Sequence, residues 1–130
     1  MQSDRIEYCV QDYHHLKVWQ SASALARETY RATTRFPRDE RFELRSQIRR
    51  AASSVPANIA EGRARGRDGE FAYFLRIALG SAAELESHLC LATELGFLTS
   101  AEHGPLAKKV SELKRMLWAL LKKVERPPKA

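Results

Sequence analysis

The chain has 130 residues, with 22 lysines and arginines against 16 aspartates and glutamates and a formal net charge of +6. That length suits one domain with a core of its own, needing neither disulfides nor metals. Apolar stretches are broken every few residues by Arg, Lys, Glu or Gln, which excludes the run of roughly 18 to 20 apolar residues that crosses a bilayer, and the positive balance makes polyanions the natural class of partner.

Met1 to Gln11 is charged and polar and lacks the apolar run and small residues of a secretory signal, so residues 1–15 read as a tail on a cytoplasmic protein. Cys9 and Cys90 stand far apart and are expected as free thiols. The first amphipathic segment runs from Leu16 to Phe36, with Val18, Ala22, Leu25, Thr29, Ala32 and Phe36 at steps of four and three. Pro37 is expected to end it.

The second segment starts near Asp39, a candidate N-cap, and carries the seam Leu44, Ile48, Ala51 and Val55. Pro56 interrupts it, yet the pattern continues through Asn58 and Ile59 to Gly62. This predicts one helix kinked at Pro56, with two short helices as the alternative. Asn58 falls where the seam demands an apolar residue, and Pro56 removes the donor for the Ala52 carbonyl. Asn58 and nearby polar groups are therefore expected to satisfy one another.

After the loop Arg63 to Arg67, Asp68 can cap a third helix whose seam is Phe71, Leu75, Ala78, Ala82, Leu85, Leu89 and Ala92, with Gly96 as its stop. Thr99 and Glu102 have the spacing of a capping box, and the last seam is Leu106, Val110, Leu113, Leu117, Leu120 and Val124. Residues 127–130, which open on Pro127 and Pro128, read as a tail. Four stripes of this kind offset chain entropy only by sharing an interior. Residues 16–126 are thus predicted to form an all-α, antiparallel up-down-up-down four-helix bundle.

Di-metal bundles use Glu-x-x-His on two helices, and this chain has no such motif. Glu84 and His88 share a face without a partner set, and no nucleophile motif is present. No cofactor, metal or enzymatic activity is expected. The run Glu61 to Gly69 has glycines but neither a Walker lysine nor a preceding strand. Arg63, Arg65 and Arg67 there read either as a flexible connection or as an anion-gripping loop beside a helix start. On a helical projection Arg38, Arg45, Arg49 and Arg63 flank the second seam, either as a solvated edge paired with Asp39, Glu40 and Glu43 or as a phosphate-binding stripe.

Four stretches carry a resemblance: Leu16-Lys17-Val18-Trp19-Gln20, Phe36-Pro37-Arg38-Asp39-Glu40, Leu44 through Ala51 with Pro56-Ala57-Asn58-Ile59-Ala60-Glu61-Gly62, and Phe74 through Leu85. They resemble the four-helix-bundle proteins encoded by intervening sequences in bacterial 23S ribosomal RNA genes, a family similar to the accessory variability protein of diversity-generating retroelements. The resemblance implies an antiparallel bundle assembled as a basic homopentamer. For retroelement members it also implies binding of RNA or DNA and of a reverse transcriptase, and both branches remain open.

Trp19, Phe42 and Tyr73 are large rings expected partly outside one bundle's interior, where they either form a subunit interface or broaden the core stripe. The preferred reading is a non-enzymatic pentameric scaffold whose Arg38, Arg45, Arg49, Arg63, Arg65 and Arg67 contact nucleic-acid phosphates. The competing reading is an adaptor that docks an acidic partner protein such as a reverse transcriptase.

Overall fold

A computed structural model describes residues 13–40 and 43–126; Phe42 and Cys9 lie outside the described residues. Among the described residues the chain forms α1 (Lys17–Ala32), α2 (Leu44–Ala64), α3 (Asp68–Glu94) and α4 (Ser100–Glu125), with short 3-10 turns at Tyr13–His15 and Arg38–Glu40 and no strand. The fold is therefore all-α. Helices α1 and α3 each pack against both α2 and α4, which closes a four-membered ring. Gly62, late in α2, faces Phe71 and Phe74, early in α3. Cys90, late in α3, approaches His103, early in α4, and Lys109 of α4 pairs with Glu28, late in α1. Contacts in that order belong to helices running in opposite directions. No helix among the described residues is long and apolar enough to cross a membrane.

The apolar seams converge on one core, and the whole predicted stripe of α3 is buried. The ends of the seams differ from expectation. α1 stops at Ala32, four residues before the expected Phe36: Thr33 N–H still donates to the Thr29 carbonyl, and the N–H groups of Thr34 and Phe36 then turn to carbonyls three residues back, those of Arg31 and Thr33. Phe36 stays buried by packing against Phe97, ring centroids 5.5 Å apart. Asp39 does not cap α2: it is exposed in a separate 3-10 turn, and the helix begins at its first seam residue, Leu44. Asp68 is likewise inside the first turn of α3, with Arg67 as the N-cap. In α4 the buried leucine after Leu117 is Leu121, while Leu120 and Val124 pack at the edge of the core.

Pro56 lies inside one continuous helix, so the two-helix alternative does not apply. Val55 and Ile59 on either side of it are buried and hold the segment against the core. Ile59 takes the core position, and Asn58 sits half-buried beside it. The Asn58 amide donates to the Ser54 carbonyl (2.8 Å) and to Ser54 Oγ (2.9 Å), and Ser54 Oγ in turn meets Ser81 Oγ of α3 at 2.9 Å. Asn58 thus serves Ser54 rather than the Ala52 carbonyl, and the three side chains tie α2 to α3.

Gly62 does not end α2; it is a packing residue two positions before the end. A Cβ there would come within 2.7 Å of Phe74 Cβ and 3.1 Å of a Phe71 ring carbon. The left-handed residue in the connection is Gly66, at φ 75°, where other residues are strained. Gly96, at φ 83°, ends α3, with Phe97 N–H donating to the Ala92 carbonyl and Gly96 N–H to Thr93. The expected capping box opens α4: Glu102 N–H donates to Thr99 Oγ1 at 3.1 Å and Thr99 N–H to Glu102 Oε1 at 3.0 Å. The Thr99 backbone and hydroxyl hydrogen bonds hold the Glu102 carboxyl below the ordinary glutamate range, with the charge of Arg35 adding to them.

Arg49 joins α2 to the end of α1. Its Nε donates to Thr33 Oγ1 (2.9 Å), its Nη2 donates to the Tyr30 carbonyl (3.0 Å), and its guanidinium lies 4.7 Å from the Tyr30 ring centroid. The carbonyl end of a helix carries partial negative charge, so a cation there stabilises α1.

Replacing Gly62 by Ala is expected to lower the urea midpoint of unfolding. Overpacking costs about 1–3 kcal/mol, which outweighs the gain of about 1 kcal/mol from alanine's helix propensity. Arg49→Gln should cost about 1–2 kcal/mol in the same assay, and Arg49→Lys should recover less than half of that, since an ammonium lacks the planar preorganised fork that spans both acceptors and lies on the Tyr30 ring.

Candidate nucleic-acid interface

The six arginines singled out from the sequence do not form one stripe. Arg38 lies in the 3-10 turn before α2, so the helical projection does not include it. Arg45 and Arg63 are 18 residues apart on α2, about 27 Å at 1.5 Å per residue. One group therefore stands at the end of the bundle where α1 gives way to α2, and the other where α2 gives way to α3.

At the α2–α3 end the arginines serve the connection. Arg63 is half-buried with its guanidinium 5.8 Å from the Phe71 ring centroid. Arg65 pairs with Glu61 at 3.0 Å and Glu70 at 3.8 Å and lies 5.2 Å from the Phe74 ring centroid. Arg67 is exposed at the start of α3. Of this loop, Arg67 alone stands outward without a carboxylate partner among the described residues.

At the α1–α2 end Tyr30, Arg45, Ser46, Arg49 and Arg50 line an open groove, and no carboxylate is among its lining residues. Arg49 forms its floor through the bonds to α1. Arg45 is half-buried, Arg50 is exposed, and neither meets an acid among the described residues. Tyr30 is 41% exposed. The groove combines three guanidinium groups and the two hydroxyls of Tyr30 and Ser46, donors that suit phosphate oxygens and leave a cation-lined path for a polyanion. Sequence reasoning missed Tyr30, Ser46 and Arg50, because the groove is made by the crossing of two helices; the i, i+4, i+5 spacing of Arg45, Arg49 and Arg50 was the available signal.

A second cationic face went unread on α4. Lys108, Arg115, Lys122 and Arg126 repeat at steps of seven, seven and four, which keeps them within about 40° on a helix. The aromatic predictions divide: Trp19 packs against its own core and edge-on to Tyr13 and His14, whereas Tyr73 is 54% exposed on α3. Glu84 and His88 meet at 3.3 Å on one face. Among the described residues no three His, Cys, Asp or Glu side chains gather as a metal site would require.

Comparison with known proteins places this architecture. No curated protein matches the chain. It is similar to the crystal structure, at 1.70 Å resolution, of a protein with unknown function from the S23 ribosomal protein family of Bacteroides thetaiotaomicron, at 24% sequence identity and a TM-score of 0.73. That match covers 81% of this chain and 98% of the other, and at such identity it speaks for the fold. The family model for the 23S rRNA-intervening sequence protein matches residues 14–119, which contain all of α1, α2 and α3 and most of α4. The chain belongs to the 23S rRNA-intervening sequence protein family.

Proposed function

We propose that this protein is a non-enzymatic scaffold of a bacterial cytoplasm, a homopentamer that binds RNA or DNA through phosphate contacts. The observation that carries the reading is the acid-free groove of Tyr30, Arg45, Ser46, Arg49 and Arg50 on a chain of net charge +6. Guanidinium groups without carboxylate neighbours gain on meeting phosphate, and each contact releases condensed counterions. Arg38 and Arg67, exposed and without acid partners among the described residues, extend the positive surface beyond the groove.

Assembly is supported by α3, whose outward residues Tyr73, Ile77, Leu91 and Leu95 are exposed and fall within about 40° of one another. Apolar side chains gathered on one helix face suit a contact between copies. A ring repeats each basic groove around its axis, so weak phosphate contacts act together on one polyanion. The family resemblance is what makes the ring five-membered.

The double variant Arg45→Gln, Arg50→Gln tests the reading, since neither side chain makes a hydrogen bond or ion pair among the described residues. It should weaken binding of RNA and DNA by a similar factor whatever their sequence, and should reduce the slope of log affinity against log salt by about 2 for each subunit engaged, in anisotropy titrations. Unchanged affinity and slope would refute the groove as the contact surface.

A further inference from the structure

We propose that the outward face of α4 is a platform for unpaired nucleic-acid bases, with Trp118 as the stacking ring and the surrounding cations as phosphate partners. The proposal rests on the nucleic-acid reading above and narrows it to single strands.

Helix α4 sorts its cations by direction. Lys109 turns sideways to Glu28 of α1, and Lys114 turns the other way to Glu86 of α3. A neighbouring acid of α4 itself, Glu125, is taken by Arg76 of α3. Lys108, Arg115, Lys122, Lys123 and Arg126 point outward, and none of them meets a carboxylate among the described residues. Arg115 donates to Ser111 Oγ at 3.1 Å and is otherwise presented to solvent. The exposed acid on this side is Glu112, near the start of the row. From Lys108 to Arg126 the row extends about 27 Å, long enough for several nucleotides of an extended strand.

Trp118 stands at the edge of this row, one turn before Lys122 and on the side facing α3, 53% exposed, an unusual position for the largest apolar side chain. Lys122 Nζ lies 4.4 Å from the indole centroid. The ammonium thus lies over one face of the indole; it makes no hydrogen bond or ion pair among the described residues, so it can swing aside to the phosphate of a nucleotide stacked on the ring. A π-face among cations binds any unpaired base, because every base has a flat face and duplex bases are already stacked on each other. The α1–α2 groove differs, since the Arg49 guanidinium over the Tyr30 ring is pinned there by its hydrogen bonds to Thr33 Oγ1 and the Tyr30 carbonyl. A membrane surface fits less well: among the cations this face carries Trp118 and Ala119, far short of the broad apolar face by which interfacial helices insert.

The test compares an oligouridylate with an RNA duplex of equal length, using wild type, Trp118→Ala and Trp118→Phe. Trp118→Ala should weaken the single strand about tenfold and leave the duplex unchanged, with Trp118→Phe retaining most of the affinity. The single strand should also quench tryptophan fluorescence in wild type and not in Trp118→Phe, whose remaining tryptophan is Trp19. The inference is overturned by equal loss on strand and duplex, by no loss, by a changed oligomeric mass of Trp118→Ala in ultracentrifugation, or by Trp118-dependent binding to phosphatidylglycerol vesicles with no quenching by RNA. A wild type that binds duplex but not the single strand sinks this inference alone, whereas failure to bind either sinks the nucleic-acid reading as well.

Discussion

The close contact of α2 with α3 is the constraint on which the rest of the bundle depends. It is the most extensive helix–helix contact among the described residues, and both helices are rich in small buried residues: Ala51, Ala52 and Gly62 in α2, and Ala72, Ala78 and Ala82 in α3. Such residues let two backbones approach closely, and the gaps are filled by the larger Ile48, Val55, Ile59, Leu75 and Leu85. Where the approach is tightest, at Gly62, the rings of Phe71 and Phe74 take the space. The same geometry draws Arg63 and Arg65 onto those rings and allows Ser54, Asn58 and Ser81 to bond across the seam.

This contact also decides which cations are left for a ligand. Arginines near the closed end of α2 are absorbed by aromatic faces and by Glu61 and Glu70. At its open end Arg49 is absorbed by the Tyr30 carbonyl and the Thr33 hydroxyl, while Arg45 and Arg50 remain beside it. On α4 the sideways lysines consume the acids of α1 and α3, leaving the outward ones unopposed. A net charge near the surface is common and says little; its separation into compensated flanks and uncompensated faces is what gives the molecule directions for a polyanion.

The fold was legible because each seam repeats over many turns, and burial follows the pattern from Val18 to Leu117 with few exceptions. What the periodicity could not resolve were the ends. Steps averaging 3.5 residues drift against a 3.6-residue helix, so by the last turns of α4 the core position had moved from Leu120 to Leu121. Asp39 and Asp68 looked like caps by residue type, yet capping depends on backbone geometry set by where packing begins. α1 ended where the backbone after Thr33 tightened to bonds three residues back, a change that a stripe of hydrophobicity does not register.

The candidate site was less legible for a related reason. Whether an arginine is spent or available depends on partners from another helix: Tyr30 and Thr33 for Arg49, Phe74 for Arg65. Helical projection places a residue on a face but not opposite a neighbour. The row on α4 is legible from spacing alone, since steps of seven, seven and four keep Lys108, Arg115, Lys122 and Arg126 on one side of a helix.

The central claim is that cations left uncompensated by the fold bind polyanions. Titrating the unmodified protein with labelled RNA over a range of salt tests it most directly. About four phosphate contacts predict a linear fall of log affinity with log salt, roughly a hundredfold between about 50 and about 200 mM. Absence of binding at the low end, or an affinity indifferent to salt, would contradict the account.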